Sequence, residues 1–160
     1  MLALTVAFFV TGALWWLYFS EVAENSRRII VESEDPGRLA RDAYTYLHLP
    51  IVAGIIMVAV ADDLLIAAPA STLGAAGIAM TVGGPAVYLI GETLFRVRMI
   101  GSASPKRLAT VVALAILAAV GPQLSALALS GAVAAILTAL ALWEHEPLRA
   151  RLRPNPSSNR

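Results

Sequence analysis

The stretch YTYLHLPIVAGIIMVAVADD, residues 44–63, decides the architecture. Tyr44, Tyr46, His48 and Pro50 lead into an apolar run, and Asp62 and Asp63 come near its end. From Leu47 to Ala68 only His48, Asp62 and Asp63 interrupt the apolar character. A bilayer-spanning helix needs about 20 predominantly apolar residues. The stretch therefore predicts a membrane span with a histidine near one mouth and two carboxylates near the other.

Composition extends that reading to the whole chain. Of 160 residues, 58% are hydrophobic and 14% charged, and the mean hydropathy is +0.72. Ordinary globular chains are about 45–50% apolar and about 25% charged, and a soluble domain this small leaves too much area exposed to hide the excess. The net charge of +1 gives no strong field, so a nucleic-acid partner is not indicated. The chain has no cysteine, which removes disulfides, thiolate metal sites and cysteine nucleophiles together.

Working outward, Leu2–Phe19 is a second apolar segment. No Lys or Arg precedes Arg27, and Trp15, Trp16 and Tyr18 close the segment, so it reads as a retained span with an interface belt rather than a cleaved leader. Residues 20–43 are polar, mixed in sign and helix-compatible, as solvated connections usually are, with a turn signal at Asp35-Pro36-Gly37. A third span is expected over 74–95, followed by a basic loop to Arg107. Leu108 to Trp143 holds no charged residue. As one helix its 36 residues would run ~54 Å, far beyond a ~30 Å hydrocarbon core. Gly121-Pro122 divides it into a hairpin, 108–120 and 124–143. The tail 144–160 is polar and proline-rich, hence frayed.

The predicted fold class is all-α, a single membrane domain over 1–160 with about five spans. The alternative is four spans plus a re-entrant or interfacial segment, since 108–120 is short. The basic residues fall four each in the first loop, the third loop and the tail, with none in the second and fourth loops. Under the positive-inside rule this puts the C-terminus in the cytoplasm and the N-terminus outside a bacterial inner membrane. An outside start without a leader is unusual, so a fragment or shortened relative of something larger is expected.

Several stretches resemble the bacterial low temperature requirement A family of polytopic membrane proteins. They are Leu14-Trp15-Trp16-Leu17-Tyr18-Phe19, Tyr46-Leu47-His48-Leu49-Pro50 with Val52-Ala53-Gly54-Ile55, and Gly83-Gly84-Pro85 with Tyr88-Leu89-Ile90-Gly91 leading to Phe95-Arg96. Order and spacing agree over some 80 residues, and the likeness is to the family's C-terminal portion. The family's usual aspartate after the first motif is Ser20 here, beside Glu21. Its Gly-Leu-Glu position is Ala61-Asp62-Asp63. The resemblance implies a topology and no settled activity.

At 100° per residue, His48, Val52, Ile55, Ala59 and Asp62 lie within about 40° of one line along their helix. Asp63 lies about 100° further round, so one carboxylate faces the bundle while the other reaches for water. Acids inside a bilayer cost roughly 2.5–3.5 kcal/mol on insertion scales and usually face a partner or cavity. Two readings stand: a proton- or cation-handling site at Asp62/Asp63, or a pair at the outer mouth that simply meets water. His48 is expected to pack between Tyr44 and Tyr46, ~21 Å from Asp62 along the helix. In the third span Thr81, Pro85, Tyr88 and Glu92 share a line. Gly83-Gly84-Pro85 predicts a mid-span kink, which either lines a cavity or only shapes packing. Glu92 has a rim partner in Arg96, four residues on, and Tyr88 either bonds Glu92 or lines a cavity. Gly77, Gly84 and Gly91 offer a close-contact face for a second copy or a partner helix.

No cofactor, metal site or catalytic set is predicted, and the protein is expected not to be an enzyme. Lipid is the expected partner. The first functional expectation is a transport or channel-like bundle around Asp62, Asp63, Thr81, Tyr88, Glu92 and His48. The alternative is a membrane scaffold or stress-adaptation component with no small-molecule path.

Overall fold

The apolar run of residues 47–68 forms a single 20-residue helix, His48–Ala67. In this computed structural model the described residues are 1–32 and 36–151 for the backbone, and 1–19, 37–38, 41, 44–99 and 101–144 for side chains. Asp35, the side chains of Ser20, Glu21, Arg27, Arg28 and His145, and the tail beyond 151 lie outside them. In chain order the elements are α1 (Leu2–Glu32), α2 (Pro36–Arg41), a π-helical turn (Asp42–Tyr46), α3 (His48–Ala67), α4 (Ala75–Ile78), a second π turn (Ala79–Gly83), α5 (Gly84–Ile100), α6 (Pro105–Val120), a 3-10 turn (Gly121–Gln123) and α7 (Ala126–Arg151).

Five segments are long and apolar enough to cross a bilayer: Leu2–Phe19, Tyr44–Ala67, Ala75–Met99, Pro105–Gln123 and Ala126–Glu144. The class is all-α with five candidate spans, and the fourth is long enough to cross. The first candidate span, Leu2–Phe19, is as expected; its helix carries on through the helix-compatible polar stretch to Glu32, and α2 begins at Pro36. Two expected boundaries move. The third span runs on to Ile100 instead of stopping at residue 95, and Gly101 ends it in the left-handed conformation, φ 75°. The fourth helix starts at Pro105 rather than Leu108, because proline is well placed in a first helical turn. Charged residues had marked both ends as loop; a helix carries them just as well.

Helices α3 and α5 form the most extensive pair, and α1 lies along α7, with α6 packed on α5, α7 and the second π turn. The shared interior is built from Leu17, Leu89, Phe95, Leu114, Leu129 and Leu137, all fully buried. Phe8, Leu49, Ile116 and Leu142 point outward and are more than half exposed. Both surfaces of the spanning segments are therefore largely apolar, as a bundle in lipid requires.

Close approach at the α3/α5 crossing depends on glycine. A methyl group on Gly54 would sit 2.6 Å from the Tyr88 nitrogen and 2.8 Å from the Gly84 oxygen. One on Gly84 would meet the Val58 nitrogen at 3.0 Å, and one on Gly91 the Ile51 nitrogen at 2.9 Å. The expected glycine face does find a helix partner, and it is α3 of the same chain. Gly77 takes no part, since the atoms nearest a methyl group there belong to Leu73, four residues back along the chain.

The α3–α4 connection is tied to the start of α7. Ala126 N donates to Ser71 O at 2.8 Å and Leu127 N to Pro69 O at 2.9 Å, around a short antiparallel bridge of Thr72 with Ser125. The Ser125 hydroxyl then accepts from Ala128 N at 3.2 Å, capping α7.

Candidate functional site

The line His48–Val52–Ile55–Ala59–Asp62 lines a cleft of about 420 Å³ between α1 and α3. Its walls are apolar, with Trp15, Phe19, Ile51 and Ile55 among them, and Tyr88 reaches it from α5. The Tyr88 hydroxyl donates to Leu14 O of α1 at 2.8 Å. That bond fixes α5 against α1, and it takes the place of the expected bond to Glu92. Tyr88 is thus both a cleft wall and a strut.

At the Ser71 end of the cleft the two acids separate. Asp63 is exposed, whereas Asp62 is half-buried and lines the cleft together with Thr11 of α1. Asp62 also borders a second, interior void of about 10 Å³, shared with Thr81 and Ser130 and walled by Val10, Val58 and Val133. Thr81 lies in the second π turn and donates its hydroxyl proton to Gly77 O at 2.9 Å. The turn has a local cause. Pro85 has no N–H for the carbonyl four residues back, that of Thr81, so the α-ladder is interrupted there. π turns of this kind are frequent at functional sites. The expected kink at Gly83-Gly84-Pro85 is a widening just ahead of the proline.

At the opposite end the charges gather in a cluster that the sequence reading did not assemble. Arg107, fully buried near the start of α6, contacts Glu92 of α5 through Nη1 and Oε2 at 2.6 Å. It also grips Glu144 of α7 in two-pronged fashion, Nε to Oε1 at 3.0 Å and Nη2 to Oε2 at 2.9 Å. Ser104 donates to the same Glu144 oxygen at 3.3 Å, and Arg107 Nη2 donates to Leu17 O of α1 at 3.4 Å. One guanidinium thus ties three helices to its own. Glu92 is not a rim residue, because α5 continues eight residues past it to Ile100. Arg107, expected in a solvated loop, is an interior ion. A planar fork suits such a bidentate, desolvated pairing.

His48 is half-buried at this same end. Its ring neighbours are Tyr18 and Tyr44, each at 5.8 Å between centroids, and Phe95 at 6.1 Å. Tyr46, the expected second flank, is exposed instead. The structure thus brings Asp62 and Thr81 together, puts Tyr88 and His48 along the same cleft, assigns Glu92 to a separate ion cluster, and leaves Asp63 outside both. Thr11, Ser130, Arg107 and Glu144 are the members that sequence reading missed.

Apolar helices gathered around these two polar groupings define a multi-span α-helical membrane protein. The chain belongs to the bacterial low temperature requirement A family, whose description as "bacterial low temperature requirement A protein" matches over residues 1–142. It is similar to an uncharacterised protein of Rhizobium meliloti (strain 1021), 31% identical over 150 residues, covering 91% of this chain and 36% of that protein. The chain spans little more than a third of the length of that relative. No solved structure matches it.

Proposed function

We propose that this bundle is part of a transport or channel-like protein for protons or monovalent cations, with Asp62 as the group that receives the charge. The observation that carries the reading is the position of Asp62. It borders both the cleft and the small void, whose linings include hydroxyl side chains from three other segments: Thr11, Thr81 and Ser130. No Lys or Arg among the described residues lines either space. An intramembrane carboxylate without a basic partner is compensated by a proton or by a bound cation. In this reading the ion cluster around Arg107 holds the bundle together and takes no part in the path. The reading involves no covalent chemistry, hence no enzyme, and takes the Arg-rich end as cytoplasmic in a bacterial inner membrane.

The test is flux in proteoliposomes containing the purified chain, followed with an interior pH dye and with tracer cations. Asp62→Asn is expected to abolish flux and Asp63→Asn to leave it within about twofold, because only the former faces the interior. Flux that is indifferent to Asp62→Asn removes the proposal. A scaffold acting through the third-span glycines is less well supported, since Gly84 and Gly91 lie against α3 within the chain.

A further inference from the structure

We propose that the void between Asp62, Thr81 and Ser130 is a binding site for one dehydrated sodium ion. The inference rests on the reading of Asp62 as the charge-receiving group and names the ion.

Size is the first argument. A void of about 10 Å³ is the space of roughly one water-sized particle. It has no room for a hydrated cation or an organic substrate, so whatever enters must exchange its water shell for protein oxygens. Oxygen-bearing side chains border it: Asp62 from α3, Thr81 from the π turn and Ser130 from α7. Hard cations take such all-oxygen sets. The Thr81 proton is already given to Gly77 O, so its oxygen turns only lone pairs to other neighbours. The carbonyl of the same residue has no α-helical donor, because Pro85 stands four residues on. Interrupted helices offer carbonyls to sodium in this manner in other transporters.

Charge is the second argument. One carboxylate and one monovalent ion make a neutral unit in a poorly polarisable interior, while a divalent ion would leave an uncompensated charge there. The remaining walls are valines and an alanine, which add nothing to soften that excess.

The experiment measures equilibrium binding of ²²Na⁺ to the purified chain in lipid nanodiscs. The expected result is one saturable equivalent, displaced by excess sodium or lithium chloride and not by choline chloride. Asp62→Asn is expected to abolish it and Asp63→Asn to leave it unchanged. Thr81→Val and Ser130→Ala preserve shape and remove one oxygen each, so each is expected to weaken binding by about tenfold or more. These two variants decide the matter if Asp62→Asn does not fold. Absence of saturable binding, binding unaffected by all three site variants, or equal displacement by potassium chloride would overturn the proposal. Proton flux with no ²²Na⁺ binding rejects sodium and leaves the transport reading intact. Binding without any flux does the reverse.

Discussion

Removing the guanidinium of Arg107 would leave Glu92 and Glu144 buried with no cation between them. Breaking a buried pair by deleting one partner typically costs about 3–5 kcal/mol, whereas replacing all its charges with neutral groups of similar volume is often close to neutral. Arg107→Met is therefore expected to lower stability by about that amount in reversible unfolding from mixed micelles. The triple change Glu92→Gln, Arg107→Met, Glu144→Gln is expected to recover most of it. Arg107→Lys should fall between, because an ammonium cannot grip Glu144 with two parallel bonds. At this scale the helical line from His48 to Asp62 was legible in the sequence, since angular spacing follows from the helix alone. The partners of Arg107 were not read. Yet Arg107 and Glu144 are the charged residues flanking the charge-free stretch 108–143, and folding that stretch into a hairpin brings its ends together. Ser130 carried no comparable signal, being one hydroxyl in an apolar helix.

Helix against helix, the α3/α5 crossing is the most extensive contact among the described helices, and glycine permits its close approach. Gly54→Ala would press a methyl onto the backbone of Tyr88 and Gly84. Overpacking of this kind costs about 1–3 kcal/mol, seen as a lower melting temperature in detergent. Gly12→Ala, where nothing lies within 4 Å, should change the melting temperature little. The existence of each span could be read from hydropathy, because lipid demands long apolar runs. Which face of a span turns inward could not, because lipid-facing and core-facing side chains are equally apolar. The glycine spacing was the exception: it announced a contact, though not whether the partner lay inside the chain. The boundaries at Ile100 and Pro105 were missed because Arg96, Arg98, Lys106 and Arg107 were counted as loop.

For the molecule as a whole, five candidate spans leave Gly101 at one end of the bundle and Ser71 with Ser125 at the other. A chain without cysteine suits single-cysteine labelling in intact cells. With the Arg-rich end cytoplasmic, Ser71→Cys is expected to react with an impermeant maleimide added outside, and Ser102→Cys only after permeabilisation; the opposite pattern reverses the orientation. The antiparallel stitch that joins Ser71 to Ala126 has a further consequence. It fastens the α3–α4 and α6–α7 corners together at one end, while Arg107 rivets α5, α6, α7 and α1 at the other. Two such fastenings hold the third, fourth and fifth spans to one another at both ends of the bundle. Neither fastening clasps α1 directly to α3; along that seam lies the cleft, lined by Thr11 on one side and Asp62 on the other. The cleft thus lies where neither staple reaches, and any widening of it is expected to fall between α1 and α3.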